Sequence, residues 1–195
     1  MKIKMVKTSS RFSSVFLLLG IMTLVFSIGL TANTYANKAK ELDSKADEAL
    51  KRFEANVKDA NEVMQRAKGL LILPSVKKGA FIIGGEYGRG VLRVGGKTVD
   101  YYSMISGSVG FQIGGQAKDL VIAFMTDDAL KKFRDSKGWE AGVDGNVALI
   151  KMGAGESAIT AMASDPIVAF VFDVKGLMAD ISLKGAKFSK LSLSD

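Results

Sequence analysis

The sequence predicts an α+β domain in which a long N-terminal amphipathic helix packs on a glycine-rich, mostly antiparallel sheet that is barrel-like or sandwich-like. Two observations support this prediction. Residues 37–68 carry apolar side chains at alternating spacings of three and four, which is the period of one helical stripe. After Gly69 the pattern changes to short apolar runs separated by glycines, which is typical of strands and turns.

The first 36 residues have the order of an export signal. Four basic residues and no acids occupy residues 1–11, and an almost wholly apolar stretch follows from Val15 to Leu30. Small residues at Thr34 and Ala36 would let a signal peptidase cut before Asn37. The alternative is an uncleaved membrane anchor, because the apolar stretch with its flanks nearly reaches the length that crosses a bilayer of about 30 Å.

We therefore expect a leader at 1–36 and one exported domain at 37–195, either in the periplasm or outside the cell, with membrane association as an option. The whole chain has 27 Lys and Arg against 20 Asp and Glu, a formal net charge of +7. Four of the basic residues and none of the acids lie in the leader, so the domain keeps 23 basic against 20 acidic residues, or +3. So small a surplus gives no support for a nucleic-acid partner.

Cysteine and histidine are both absent from the sequence. Their absence removes disulfides, Ser-His-Asp and Cys-His catalysis, and the nitrogen and sulfur ligands of most zinc and copper sites. No run of acids has the spacing of a calcium loop, and we interpret Asp127-Asp128 as a helix cap in preference to a metal ligand. We expect no cofactor, no metal and no enzyme activity. A catalytic centre built on serine, lysine or carboxylate that we do not recognise is the remaining alternative.

The elements follow from these patterns in chain order. The N-terminal helix ends at Gly69, a natural C-cap, and its basic and acidic residues are nearly balanced. One short helix is predicted near 127–137, between a Thr126 cap and Gly138. Strands are predicted at residues 70–73, 80–83, 90–94, 108–113, 120–125, 146–150, 167–172, 177–183 and 186–188.

Two interpretations of the glycines are open. Neither the order at 84–90 nor Gly96-Lys97-Thr98 fits a dinucleotide-binding or phosphate-binding loop. The glycines either shape a sheet that receives a ligand, or they let crowded strands bend and approach one another closely. The candidate ligand-shaping glycines are Gly84, Gly85, Gly88, Gly90, Gly110, Gly114 and Gly115.

Aromatic and basic side chains supply the other candidates. Aromatic residues in strands could stack on a ligand or pack within the sheet; these are Tyr101, Tyr102, Phe111 and Trp139. A basic residue near an anionic lipid surface contributes about 1 kcal/mol, and solvated surface lysine is the alternative explanation. The candidate lipid-binding residues are Lys77, Lys78, Arg89, Arg93, Lys45 and Arg52, and the series Lys184, Lys187 and Lys190 has the same property.

Three segments of the sequence carry recognisable motifs. The first is residues 67–92, which include Gly84-Gly85-Glu86-Tyr87-Gly88-Arg89-Gly90. The second is a glycine-rich segment at residues 108–116, and the third is residues 175–186. In this order they resemble the opening, central glycine-rich and closing motifs of the SYLF family of lipid-binding domains, and the resemblance covers roughly residues 45–191.

The resemblance implies a lipid-binding module without catalytic residues. Eukaryotic members of the family are associated with phosphoinositide-containing membranes and, in fungi, with the actin cytoskeleton, whereas many bacterial members are exported. Because the leader predicts export, we expect affinity for membrane lipid, in particular its anionic head groups, in a bacterial cell envelope, and we leave the cytoskeletal role aside. The alternative is an envelope scaffold that pairs with another protein and has no lipid ligand.

Overall fold

The computed structural model describes residues 37–79, 85–107, 116–151, 158–176 and 182–192. The chain divides into two units, residues 1–39 and 40–195, and the first lies almost entirely outside the described residues. The leader expected at 1–36 is therefore not described. Among the described residues, no helix has both the length and the apolar character that crossing a bilayer requires.

Eight strands of the described chain form one mixed sheet, which curls into a half-barrel. The strands are β1 (Gly69–Gly79), β2 (Gly85–Val94), β3 (Lys97–Gly107), β4 (Gln116–Phe124), β5 (Trp139–Glu140), β6 (Ala148–Lys151), β7 (Ile167–Lys175) and β8 (Lys187–Lys190). Their order in the sheet is β5-β8-β3-β2-β1-β4-β7-β6, and each neighbouring pair is antiparallel except β7 and β6. The predicted α+β class with a mostly antiparallel, curled sheet is confirmed.

Four helices are found in the described part of the chain. They are α1 (37–56), α2 (Ala60–Arg66), α3 (Asp127–Asp135) and α4 (Ala158–Ser164). The helix predicted without interruption over residues 37–68 is therefore broken, and Asp59 at the break has a left-handed φ of 64°. Two local features favour the break: Asn56 Nδ2 donates to the Arg52 carbonyl at 2.8 Å, and aspartate tolerates the left-handed conformation better than most residues.

Local signals account for two of the predicted features. Thr126 Oγ1 accepts a hydrogen bond from the Ala129 N–H at 3.2 Å and caps α3, as the sequence predicts. Gly95 and Gly96 have left-handed φ values of 57° and 77° in the turn between β2 and β3. Strands β3 and β5 and helix α4 are not among the predicted elements. The predicted strands at 80–83 and 108–113, and residues 177–181 of the strand predicted at 177–183, lie outside the described residues.

The two faces of the sheet are covered by different elements. On the face that we call the inner face, to which Leu71 and Ile122 belong, apolar side chains pack against α3 and against Trp139 of β5. On the opposite face, the outer face, which includes Ile72 and Val121, the apolar sides of α1, α2 and α4 cover the sheet. Successive residues of a strand thus enter different cores, as the pleat requires.

Helix α1 lies across the outer face. Near its start, Asp43 Oδ1 accepts a hydrogen bond from Thr98 Oγ1 of β3 at 2.7 Å. Further along, Arg52 Nε donates to Asp119 Oδ2 of β4 at 2.7 Å, and Phe53 packs on aromatic rings of β7. The helix is therefore held by polar contacts at both ends of its described contact with the sheet and by apolar contacts between them.

A bulge at Pro74-Ser75 interrupts β1 in the middle of the sheet. The pairing with β4 shifts by one residue across it, because proline has no N–H for the ladder and Ser75 has a left-handed φ of 55°. The Ser75 N–H donates instead to Asp119 Oδ1 at 2.8 Å. One carboxylate oxygen of Asp119 therefore accepts a hydrogen bond from the bulge of β1, and the other accepts one from Arg52 of α1.

Candidate functional site

The glycine-rich segments all join the sheet at one end. Gly79 of β1, Gly85 of β2 and Gly107 of β3 are register partners in one row, and β4 begins and β7 ends in the adjacent rows. The segments between β1 and β2 and between β3 and β4, residues 80–84 and 108–115, contain four of the seven candidate ligand-shaping glycines and lie outside the described residues. We call this end of the sheet, marked by Gly79, Gly85 and Gly107, the glycine end.

One row of outer-face residues crosses six strands close to the glycine end. Each residue is the register partner of the next, and Arg89 lies two residues from Tyr87 on the same face. Ile105 is 56% exposed, and Lys77, Arg89 and Lys187 are exposed as well. We use the name outer row for Lys187, Ile105, Tyr87, Lys77, Ala117 and Lys175, together with Arg89.

The charges of the outer row are partly unpaired. The Arg89 guanidinium lies 5.6 Å from the centroid of the Tyr87 ring, and Arg89 Nε donates to the Tyr87 hydroxyl. Lys175 Nζ lies 3.6 Å from Asp173 Oδ2, whereas no ion pair is found for Lys77 or Lys187 among the described residues. Unpaired cations beside an exposed isoleucine and a tyrosine suit the interface of an anionic membrane, where head groups meet acyl chains.

Of the six candidate lipid-binding residues, Lys77 and Arg89 lie in the outer row, which also contains Lys187 of the basic series. Arg93 instead pairs with Asp47 Oδ1 of α1 at 2.7 Å, and it joins the helix to β2. Arg52 also holds the helix, and its hydrogen bond with Asp119 raises the pKa of the guanidinium.

Lys45, another candidate lipid-binding residue outside the outer row, is exposed on α1. Its ammonium pairs with Glu41 one turn away, at 2.5 Å. Lys45, Arg52 and Arg93 thus form a group on or against α1. None of the three belongs to the outer row.

Lys78 follows Lys77 but lies on the inner face. It pairs in register with Glu86 of β2 and Gln116 of β4, and Glu86 pairs with Ser106 of β3. In the next row, Lys118 Nζ lies 2.8 Å from Glu86 Oε2, and the two side chains are 0% and 6% exposed. We call Lys78, Glu86, Ser106, Gln116 and Lys118 the inner polar cluster.

Of this cluster, the sequence patterns single out Lys78 alone. Local periodicity does not predict that Glu86 and Lys118 meet, because their contact depends on the pairing of β2, β1 and β4 and on the extra residue of the bulge. The available signal is weaker: Lys118-Asp119 places two charges directly before the apolar run of β4, where an exposed strand end is the usual explanation. Both residues are buried.

The predicted glycines of β2 are packed closely. A Cβ on Gly90 would lie 1.9 Å from the Ile72 carbonyl oxygen, and a Cβ on Gly88 would lie 2.8 Å from Val76 Cγ2. This geometry fits the interpretation in which glycines let strands approach one another. Gly85 lies at the glycine end, and Gly84, Gly110, Gly114 and Gly115 are outside the described residues.

The predicted aromatic residues are core and interface residues. Tyr102 and Trp139 are 2% exposed and flank Phe133 of α3, with ring centroids 4.7 and 5.5 Å from its own. The Tyr101 hydroxyl donates to Asp43 Oδ2 of α1 at 3.0 Å. Phe111 is outside the described residues. These positions fit packing within the sheet and its covering elements.

The described residues show no arrangement typical of a metal centre. No group of three or more acids among them could hold a metal ion. Two open cavities, of about 530 and 540 Å³, are bordered by residues around β5 and α3. Lys184 of the basic series lines the first cavity and Trp139 lines the second, but none of the six candidate lipid-binding residues and none of the candidate glycines lines either.

The comparison with known proteins agrees with the motifs. Residues 105–192 match a family model described as "Ysc84: Las17-binding protein actin regulator". LAS seventeen-binding protein 3 of Saccharomyces cerevisiae, in strains YJM789 and ATCC 204508 / S288c, is 30% identical over 132 residues. The alignment covers 64% of this chain and 28% of the yeast protein, so the chain corresponds to less than a third of that relative. Residues 105–192 are therefore similar to the Ysc84, or SYLF, family, and the chain is distantly similar to the yeast protein.

Proposed function

We propose that this domain binds, without catalysis, to a membrane surface that carries anionic lipid, and that the outer row makes the contact. The 56% exposure of Ile105, which lies between Lys187 and Tyr87 in this row, is the observation that carries the proposal. Moving an exposed isoleucine side chain from water to the acyl boundary of a membrane is favourable by about 25 cal/mol for each Å² of apolar surface that is buried. The flanking lysines and Arg89 would lie at head-group level.

We place this membrane in a cell envelope. The basic residues before Val15 and the apolar stretch that follows them support export. The mass of the protein isolated from its own cells tests this part of the proposal. A chain that begins at Asn37 is expected, and a chain that keeps the apolar stretch would support the anchored alternative.

Vesicle co-sedimentation tests the membrane contact. Both apolar clusters of the fold lie within residues 40–195, so a fragment of residues 37–195 keeps the whole described core and lacks the apolar leader. We expect this fragment to bind phosphatidylcholine vesicles that contain phosphatidylglycerol, and to bind less as salt screens the charges. No binding to neutral or anionic vesicles at low salt would contradict the proposal.

A protein partner is the second candidate, and the comparisons favour it. The matched family is described as a Las17-binding actin regulator, and the yeast relative is named for binding LAS seventeen. An acidic protein surface could contact the outer row in place of a lipid surface. Purification from native membranes, followed by mass spectrometry, distinguishes the two: a stoichiometric protein without lipid would favour a scaffold.

A further inference from the structure

The inner polar cluster is an unusual part of an otherwise apolar face. Its members occupy neighbouring register positions on the four central strands of the sheet, and four of the five are buried. The next residues along the same face are apolar, for example Val76 and Met104. A buried ammonium in such surroundings raises the free energy of the folded state unless its charge and its hydrogen-bond donors are satisfied.

Lys118 is only partly satisfied by the described residues. Its Nζ lies at ion-pair distance from Glu86 Oε2, but the contact lacks hydrogen-bond geometry, and neither atom has a hydrogen-bond partner among the described residues. A lysine ammonium carries three N–H donors. The ammonium of Lys118 has no hydrogen-bond acceptor for these donors among the described residues.

The cluster also has an excess of positive charge. Lys78 and Lys118 are both cations, and Glu86 is the one anion among the five residues. No ion pair is found for Lys78 in the described part of the chain. Its side chain is partly exposed, so the cluster is connected to solvent close to the ends of β1 and β2.

We propose that the inner polar cluster binds one phosphate-type oxyanion. Lys118 and Lys78 hold it by charge-assisted hydrogen bonds, and the Ser106 hydroxyl can donate a further one. The Glu86 carboxylate fixes the position of the Lys118 ammonium when the anion is absent. The oxyanion is either free phosphate or the terminal phosphate of a lipid head group. The site lies on the opposite face from the outer row and does not depend on the membrane proposal.

Lys77 and Lys78 provide a matched pair of variants, because they are adjacent and lie on opposite faces. Titration calorimetry of the 37–195 fragment with inorganic phosphate, at constant ionic strength, is the first arm. We expect saturable binding by the wild type and by Lys77→Ala, and binding about tenfold weaker or more for Lys78→Ala, since one charge-assisted hydrogen bond is lost. The Glu86→Gln/Lys118→Met double variant removes both buried charges together, and we expect it to fold without binding phosphate.

The second arm measures binding to vesicles and identifies the source of the anion. Phosphatidic acid ends in a phosphate monoester, whereas the phosphate of phosphatidylglycerol is an internal diester. Preference for phosphatidic acid over phosphatidylglycerol that Lys78→Ala abolishes and Lys45→Ala leaves intact, without binding of free phosphate, would assign the site to a lipid head group. Lys45 is the control with vesicles because it pairs with Glu41 and lies outside both the outer row and the inner polar cluster. Saturable binding of free phosphate would assign the site to a soluble anion. The inference is overturned if neither preference nor saturable binding is found, or if Lys78→Ala behaves like its control in both arms.

Discussion

Lys77 of β1 lies directly opposite Tyr87 of β2 in the antiparallel ladder, and both side chains are on the outer face of the sheet. Tyr87 in turn carries Arg89 over its ring. Two cations that lie apart in sequence therefore flank one aromatic ring, on a part of the sheet that α1 leaves exposed. This arrangement defines a surface that could bind lipid. The predicted N-terminal helix defines no such surface, because its basic and acidic residues are nearly balanced.

Removing a cation from the outer row is expected to weaken membrane binding. Lys77→Ala and Arg89→Ala should each reduce affinity for phosphatidylglycerol-containing vesicles by about 1 kcal/mol, or roughly fivefold, at low salt. The control is Lys45→Ala, because Lys45 is exposed but pairs with Glu41 outside the row. Co-sedimentation measures the three affinities. Equal losses for Lys45→Ala would show that general charge, and not this row, attracts the vesicles.

Asp119 is expected to contribute to stability and not to binding. Its side chain is 4% exposed and accepts from both Arg52 and the Ser75 N–H, so Asp119→Ala leaves a buried donor unsatisfied. We expect the free energy of unfolding, measured in urea, to fall by about 2–4 kcal/mol, with Arg52's partial exposure reducing the electrostatic part. Lys131→Ala breaks an exposed pair with Asp135 and serves as the control. A similar loss in both variants would argue against the role of Asp119.

Tyr102 is expected to lower the stability of the fold as the pH rises into the alkaline range. Burial raises the pKa of its hydroxyl to about 12, and the Asp100 carboxylate adds to the increase. An unfolded tyrosine loses its proton near pH 10. The contribution of the buried, protonated Tyr102 hydroxyl to the free energy of unfolding is therefore complete below that pH and is lost between about pH 10 and 12. Tyr102→Phe removes this loss, which is about 2–3 kcal/mol in the free energy of unfolding.

The measurement for Tyr102→Phe is urea unfolding at a series of pH values. At neutral pH the variant is expected to be as stable as the wild type or slightly more stable, since the hydroxyl has no hydrogen-bond partner among the described residues. An alkaline loss of the same size in both proteins would contradict the assignment to Tyr102.

Gly90 is expected to be indispensable for the sheet. An alanine Cβ there would lie 1.9 Å from the Ile72 carbonyl oxygen, so Gly90→Ala must separate β2 from β1 at the bulge. We expect loss of cooperative thermal unfolding or a destabilisation of more than about 3 kcal/mol. Gly107→Ala is the matched control, because nothing lies within 4 Å of its Cβ position. A stable Gly90→Ala protein would contradict the packing assigned to β2.

Local sequence features predict the elements of this fold better than their contacts. The Thr126 cap, the Gly95-Gly96 turn and the helical stripe that begins near residue 40 each involve residues within a few positions of one another. The break at Asp59 is harder to predict, because the apolar spacing continues across it in α2. The left-handed Asp59 and the Asn56–Arg52 hydrogen bond favour the break, and α1 and α2 both pack on the sheet on either side of it, but the apolar period indicates neither.

The candidate sites depend on register, which a single sequence does not contain. Lys77 and Lys78 can be recognised as a basic pair, but their faces are set by the bulge at Pro74-Ser75. Ile105 lies in β3, a strand that the apolar runs do not predict, and its 56% exposure depends on tertiary contacts that a single sequence does not show. Arg52 and Arg93 carry the same charge as Lys77, yet acids on neighbouring elements pair with them.

Affinity of Ile105→Ser for phosphatidylglycerol-containing vesicles tests the membrane contact most directly. Val99→Ser, at the other end of the same strand, is the control, since Val99 is 40% exposed and outside the outer row. We expect Ile105→Ser to bind about fivefold to thirtyfold more weakly, because roughly 1–2 kcal/mol of apolar transfer is lost, and Val99→Ser to bind like the wild type. Unchanged affinity of Ile105→Ser, with both variants folded, would contradict a membrane contact through the outer row.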